Sequence, residues 1–249
     1  MRDDYARAYA ELARRHWWWR SRQALVLKRL AALPRLEGAR ILDVGCGAGV
    51  VLDALANLGE AEGLEPDARL AAEATHPGAI RVVPFGPEFR ATTPYDLVVM
   101  LDVLEHLDDD LGSLKAARSA LAPGGWLLLT VPAMPSLWSR HDVVNEHRRR
   151  YRMRDLAAVI EGAGLRVVDV RHAFAWTVGP LLARRWLAPA TDESEYRVSI
   201  PPRPINAALD LLSRLDHSIG RLVRWPVGGS LIALARRDDT PDSALAEAA

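Results

Sequence analysis

The chain has 249 residues, 49% hydrophobic and 26% charged, with 17 glycines and 16 prolines. These are globular values, so collagen-like, disordered and disulfide-scaffold architectures are excluded, and a chain this long buries about 70–75% of its unfolded surface without a staple. Thirty-two basic side chains balance 32 acidic ones, so bulk charge asks for neither nucleic acid nor an anionic membrane. The lone cysteine, Cys46, cannot form an internal disulfide, the first residues carry no apolar signal core, and no apolar run has the length of a membrane span. A reducing, cytoplasmic setting is expected.

Residues 4–33 read as two helices with Trp17-Trp18-Trp19 at their joint. Strands and helices then alternate. Ala39–Val44 is a strand, Val50–Leu58 a helix, Ala61–Leu64 a strand and Asp67–Ala74 a helix. Ile80–Val83 and Asp96–Leu101 are strands, and Leu107–Leu121 is an amphipathic helix ended by Pro123-Gly124-Gly125. Trp126–Val131 is a strand, Met153–Ala163 a helix stopped by Gly164, and Leu165–Val170 a strand. Residues 175–187 read as helix, 188–204 as a proline-rich loop, Ile205–Val223 as a helix, Gly228–Ala235 as the last strand and 238–249 as a disordered tail. In the 205–223 helix, Ile205, Leu209, Leu212, Leu215, Ile219 and Leu222 share one stripe. Continuous apolar strands alternating with helices mean an α/β fold, a mostly parallel sheet with helices on both faces. The expected organisation is a helical cap over 1–35, a core over 36–174, a helical insert over 175–226 and a returning strand over 227–237.

In such sheets ligands sit beyond the carboxyl ends of the strands. The first strand runs into Gly45, Gly47 and Gly49 (ILDVGCGAG) and then a helix. Glycines there let the backbone turn sharply and approach a ligand, and the helix start offers free N–H groups. The dinucleotide spacing G-x-G-x-x-G is missed, since Val50 stands in its third slot. Asp43 would repel a pyrophosphate but suits a ligand carrying an amine and a sulfonium. Glu65, twenty residues past Gly45 at the end of the second strand, is placed to accept both ribose hydroxyls.

ILDVGCGAG resembles the first motif of class I S-adenosylmethionine-dependent methyltransferases. Glu65 in GLEPDA resembles that family's ribose-binding acid, and Tyr95–Leu107 (YDLVVMLDVLEHL) and Leu121–Thr130 (LAPGGWLLLT) resemble its later strand motifs. The resemblance implies a Rossmann-like seven-stranded sheet whose last strand runs antiparallel, with S-adenosylmethionine as methyl donor. It implies donor contacts at Asp43, Gly45, Cys46, Gly47, Gly49, Glu65 and Pro66. Further contacts are expected at Leu101, Asp102 and His106, and from Trp19 and Arg22 of the first helices. Where many relatives carry an acid near the adenine amine, this chain reads Val83-Pro84-Phe85-Gly86-Pro87-Glu88, so backbone contacts at Phe85 and Gly86 are expected instead. His16–Arg20, Ser139–Tyr151 and Pro226–Leu231 are similar to a bacterial, ubiquinone-methyltransferase-like branch of the family.

Methyl transfer from a sulfonium needs alignment, exclusion of water and, for a hydroxyl acceptor, a base. His147 and His141 follow the fifth strand and are the candidate catalytic bases, with Glu146 beside His147. His76, His172 and His217 read as solvated helix flanks. The spacing of His141, Asp142, Glu146 and His147 matches no metal signature, so no metal is expected. Arg148, Arg149, Arg150, Arg152 and Arg154 at a helix start oppose its dipole, which points one or two of them at an anion such as the acceptor. Three consecutive tryptophans cannot share one helix face, so at least one faces away from the main sheet. The expected activity is methyl transfer to a small-molecule acceptor at oxygen. Nitrogen or carbon acceptors, a lipid-linked or quinone-like acceptor, and a non-catalytic nucleoside-binding domain are the alternatives. Helix 205–223 is expected to cover the acceptor pocket, with peripheral membrane contact as its other reading.

Overall fold

The computed structural model describes residues 3–34, 36–187 and 199–238. The expected loop over 188–204 falls largely outside them, and the expected tail over 238–249 almost wholly. Seven strands form one sheet: β1 (Ala39–Val44), β2 (Gly59–Leu64), β3 (Ile80–Arg81), β4 (Tyr95–Leu101), β5 (Leu121–Pro132), β6 (Arg166–Ala173) and β7 (Ser230–Arg236). Their order is β3-β2-β1-β4-β5-β7-β6, and β7 runs antiparallel to β5 and β6 while the other pairs are parallel. The chain leaves β1 toward β2 and β3, then returns to the other side of β1 with β4. That reversal opens a crevice at the carboxyl ends of β1 and β4.

Alternate strand residues pack on opposite faces. Leu42, Val98, Met100, Leu127 and Leu129 meet helices α5 (Asp110–Ala120) and α7 (Met153–Gly162) through Leu114, Leu156 and Ile160. Ile41, Leu97, Val99 and Leu128 meet α2 (Trp17–Leu30) through Leu25, Val26 and Leu30. The cap also includes α1 (Asp3–Arg15); α3 (Val50–Leu55) and α4 (Ala68–Ala72) follow β1 and β2. A short α6 (Arg140–Val144) follows β5, and α8 (Val178–Leu187) and α9 (Arg203–Leu222) lie between β6 and β7. Among the described residues no helix is long and apolar enough to cross a membrane.

Several expectations are corrected. β3 stops at Arg81, because it pairs only with the end of β2 and Pro84 follows. α5 begins at Asp110, where Asp109 accepts the Gly112 N–H at 2.7 Å as an N-cap. Pro123-Gly124-Gly125 lies within β5, looped out between the Tyr95–Leu121 and Leu97–Trp126 pairs, with Gly124 at φ +75°.

α9 is inverted relative to its apolar stripe. Ile205, Leu212, Leu215, Ile219 and Leu222 are exposed, while Asn206, Asp210, Ser213, Asp216 and His217 are buried. α2 and the segment after β6 supply their partners. Ser21 Oγ donates to Asp210 at 2.8 Å, Trp17 N–H to Asn206 at 2.9 Å, and Trp176 Nε1 to Ser213 at 3.2 Å. His217 is therefore not solvated; it lies edge-on to Phe174, and burial lowers its pKa to about 4. His172 is half-buried in β6, its Nδ1 at 3.1 Å from the Trp225 carbonyl.

Candidate active site

The turn after β1 is built on glycine. Gly45, Gly47 and Gly49 all have positive φ, a region other residues enter at a cost. A Cβ on Gly45 would also lie 2.6 Å from the Val103 side chain. Glu65 ties the turn down, one carboxylate oxygen accepting the Gly47 N–H and the other the Asp67 N–H, both at 2.9 Å. Burial raises the Glu65 pKa, and those two bonds hold the rise back. Asp43 is 2% exposed and its Oδ2 has no hydrogen-bond partner. Burial pushes it up to about 7 against the pull of Arg22, with Glu65 adding to the rise. Burial also pushes the Cys46 thiol up, which leaves it a poor nucleophile at neutral pH.

The cap helices cover this turn. Trp19 and Arg22 join Asp43, Gly45, Cys46, Gly47 and Leu101 around one cavity. Tyr9 and Gln23 also line it, and neither was singled out from the sequence. Tyr9 sits against Gly47, 3.4 Å from where a Cβ would stand, and meets Trp19 edge-on at 6.0 Å. The tryptophans divide as their helical positions require. Trp18 stacks on Phe174 at 4.1 Å and Trp17 lies beside Trp176, while Trp19 turns to the glycine side. The other expected contacts stand outside the cavity wall. Gly49 is the N-cap of α3. Glu65, with Pro66 after it, acts through Gly47. Phe85 packs on Phe89, and Gly86 borders open space. Asp102, at φ +55°, is paired with Arg22 and accepts the Thr130 hydroxyl at 2.9 Å.

Past Asp102, a tight 3-10 turn over Leu104–His106 carries Glu105 inward. Glu105 is fully buried, and neither of its carboxylate oxygens has a hydrogen-bond partner. Burial, with the charge of Asp102 added, raises its pKa well above the usual range. The fold brings the segment after β5 onto this turn: Arg148 N–H donates to the Glu105 carbonyl at 2.7 Å. The ring of His147 lies edge-on to that of His106 at 4.8 Å and to that of His141 at 6.0 Å. The carboxylate on His147 is Asp142, not the neighbouring Glu146, which is exposed. Asp142 Oδ1 lies 2.9 Å from His147 Nδ1 and accepts Arg150 Nε at 2.7 Å. Its Oδ2 accepts the Ser139 N–H at 2.8 Å. Burial alone would raise the Asp142 pKa; the bonds from His147 and Arg150 hold it below the usual carboxylate range. Burial is also the main cause of the lowered pKa values of His106 and His141.

The arginine block is paired with aspartates of this chain, Arg149 and Arg150 turned inward and Arg148, Arg152 and Arg154 at the surface. Arg148 pairs with Asp108, Arg149 with Asp110, Arg150 with Asp142, and Arg152 and Arg154 with Asp155. Tyr151 donates to Asp110 at 2.9 Å. These contacts lock the segment that carries the histidines onto α5 and the 3-10 turn.

The sequence pattern of a family described as a methyltransferase domain matches residues 17–170. The chain belongs to that family, the class I S-adenosylmethionine-dependent methyltransferases. This methyltransferase is 31% identical over 195 residues to a ubiquinone biosynthesis O-methyltransferase of Dinoroseobacter shibae, over 68% of this chain and 75% of the relative. A protein of the same name from Xanthomonas campestris is 36% identical over 113 residues, 42% of this chain and 47% of that relative. Among solved structures, an S-adenosylmethionine-dependent methyltransferase of Mesorhizobium loti superposes with a TM-score of 0.57 at 18% identity, covering 92% of this chain and 98% of the other. That likeness carries the fold. S-adenosylmethionine is the methyl donor of this methyltransferase.

Proposed function

We propose that this methyltransferase carries the methyl group of S-adenosylmethionine to a hydroxyl oxygen of a small, quinone-like aromatic acceptor. The observation that carries the reading is the Asp142–His147 pair at the carboxyl edge of the sheet. Asp142 is kept ionised and can only accept, so the His147 Nδ1 beside it carries a hydrogen, and in the neutral ring Nε2 is then the nitrogen with the lone pair. A hydroxyl acceptor needs such a group to lose its proton; a carboxylate does not. The two ubiquinone O-methyltransferase relatives support an oxygen acceptor.

The residues of the cavity fit the donor. Bound there, the donor would supply an electrophilic methyl group on a positively charged sulfur. Asp43, buried with an unpartnered oxygen, suits its cationic end, and the glycine turn gives close backbone approach. Glu65 would add ribose contacts on the free lone pairs of its carboxylate. Tyr9 and Trp19 would exclude water, and Trp19 offers an indole face to the sulfonium. The acceptor hydroxyl ionises at His147.

The test is release of S-adenosylhomocysteine from the full chain, S-adenosylmethionine and a prenylated dihydroxybenzene, against the matched amine. Release with the hydroxyl compound and none with the amine is expected. Release with the amine alone would overturn the oxygen reading.

A further inference from the structure

α2 and α9 run side by side in the same direction, joined at their first turns by the Trp17–Asn206 and Ser21–Asp210 bonds. Farther along they part, and a cavity of about 130 Å³ opens between their later turns and strands β6 and β7. It shares no lining residue with the donor cavity. Three cations line it, Lys28 and Arg29 from α2 and Arg221 from α9. The one acid in its wall, Asp216, is already engaged, accepting the Ala175 N–H at 3.2 Å. Arg29 pairs with Asp169 at 2.9 Å, but that carboxylate also holds Arg171 and Arg224. Lys28 and Arg221 have no acidic partner among the described residues. Arg29 and His217 each bring to this wall a buried nitrogen, Nε and Nε2, with no hydrogen-bond partner. His217 is only 9% exposed. Burial, with the charges of Lys28 and Arg214 added, keeps it neutral near pH 7, so it brings an N–H but no charge. The rest of the wall is apolar. Leu25, Ala173 and Ile232 line it, with Trp225, whose Nε1 is already given to the Asp216 carbonyl at 3.3 Å.

We infer that this cavity is a second ligand site, which takes a small carboxylate with an apolar body. The carboxylate accepts from Arg29 Nε and His217 Nε2, and Lys28 and Arg221 balance its charge. The body fills the apolar wall. Other ligand classes fit less well. A cation meets three like charges. A neutral apolar molecule leaves both buried nitrogens without an acceptor, and a buried donor left so is costly. Inorganic phosphate gains nothing from the apolar wall. Since the two cavities share no residue, a ligand here is not the methyl acceptor, and the site stands apart from the oxygen-acceptor reading. Its effect runs through α2, which lines both cavities: Trp19 and Arg22 at the donor, Lys28 and Arg29 here. A carboxylate bridging Arg29 of α2 and His217 of α9 favours the docked position of α2. It is therefore an effector that tightens donor binding, by differential affinity for the docked state.

The experiment is a calorimetric titration of the full chain with sodium benzoate at fixed ionic strength, against benzamide and inorganic phosphate. Benzoate should bind once per chain with Kd below about 1 mM, and the other two at least about tenfold more weakly. His217→Leu should lower benzoate affinity by about tenfold or more. Arg29→Lys, which can still pair with Asp169 but lacks the second donor, should do the same. Lys28→Gln and Arg221→Gln together should cost about 3–10-fold. Lys115→Gln, at an exposed cation on α5, should leave it unchanged. His217→Leu removes an unpartnered buried nitrogen, so its thermal midpoint without benzoate should match or exceed that of the parent. That separates lost binding from lost folding. Saturating benzoate should raise S-adenosylmethionine affinity by about fivefold or more in the parent, and not in His217→Leu. No benzoate binding, or equal binding in His217→Leu and the parent, would overturn the site. Benzamide binding as tightly as benzoate would overturn its preference for an anion. Benzoate binding with unchanged donor affinity would keep the site and overturn the effector role.

Discussion

At the donor end of the site, one unbroken stretch, Ile41–Gly49, provides the strand, the turn and the start of the helix, and a single side chain, Glu65, pins it through Gly47. At the histidine end nothing is contiguous. Glu105 and His106 come from the turn after β4, and His147 from the far side of α6; ion pairs from Arg149 and Arg150 to Asp110 and Asp142 hold the pieces together. The donor end depends on backbone shape, and the histidine end on charge pairing inside the protein. The first should therefore yield to changes in affinity, the second to changes in rate.

The sharpest test of that division is His147→Gln, which keeps hydrogen bonding but cannot take a proton. Single-turnover methyl transfer should fall about 100–10,000-fold, with S-adenosylmethionine affinity nearly intact on the same sample. Near-normal turnover would remove His147 from the chemistry. Glu65→Ala should do the reverse. Charge-assisted bonds contribute about 1.5–3 kcal/mol, so calorimetric donor affinity should drop about 10–100-fold, and an unchanged affinity in a folded variant would break the assignment.

A smaller effect concerns Asp43, pushed up to about 7. The cationic donor prefers the ionised carboxyl, so affinity should rise with pH and level off above about 7. One unit below that value it should be about tenfold weaker. Folding stability of the free protein carries the opposite sign. The acid's folded pKa lies above its unfolded one, so its contribution is fully present below the ordinary aspartate value and is lost as pH rises toward 7. Asp43→Asn should flatten both profiles. The smallest effect is expected at Gly86, where a Cβ meets open space outside the cavity. Gly86→Ala should change donor affinity by no more than about twofold; a large loss would extend the donor end past β3.

The alternation of apolar strands and helices was enough to read a doubly covered parallel sheet, and ILDVGCGAG to locate the donor turn, because both are local patterns. Periodicity reported that α9 is amphipathic but not which side faces in. Its polar side turned inward because α2 offers Ser21 and the Trp17 N–H to Asp210 and Asn206, a fact about another helix. Tyr9 escaped notice for the same reason, since only docking of α1 brings it over Gly47. The proximity of His106 and His147 is tertiary in origin too. Arg148 and Arg149 read as cations awaiting an anion because their aspartate partners, Asp108 and Asp110, lie far back in the chain.

Asp102 is a non-glycine residue held in the left-handed region, gripped from one side by Arg22 of α2 and from the other by Thr130 of β5. Such a backbone costs about 1–3 kcal/mol and persists only while its surroundings insist on it. Arg22 belongs to the amino-terminal helices, so undocking them lets Asp102 relax and loosens the turn that carries Glu105 and His106. The seating of the first thirty or so residues and the readiness of the histidine edge are then a single equilibrium. A protease that clips between α2 and β1 should extinguish methyl transfer at the pace of cleavage, even though His106, His141 and His147 are still in the chain.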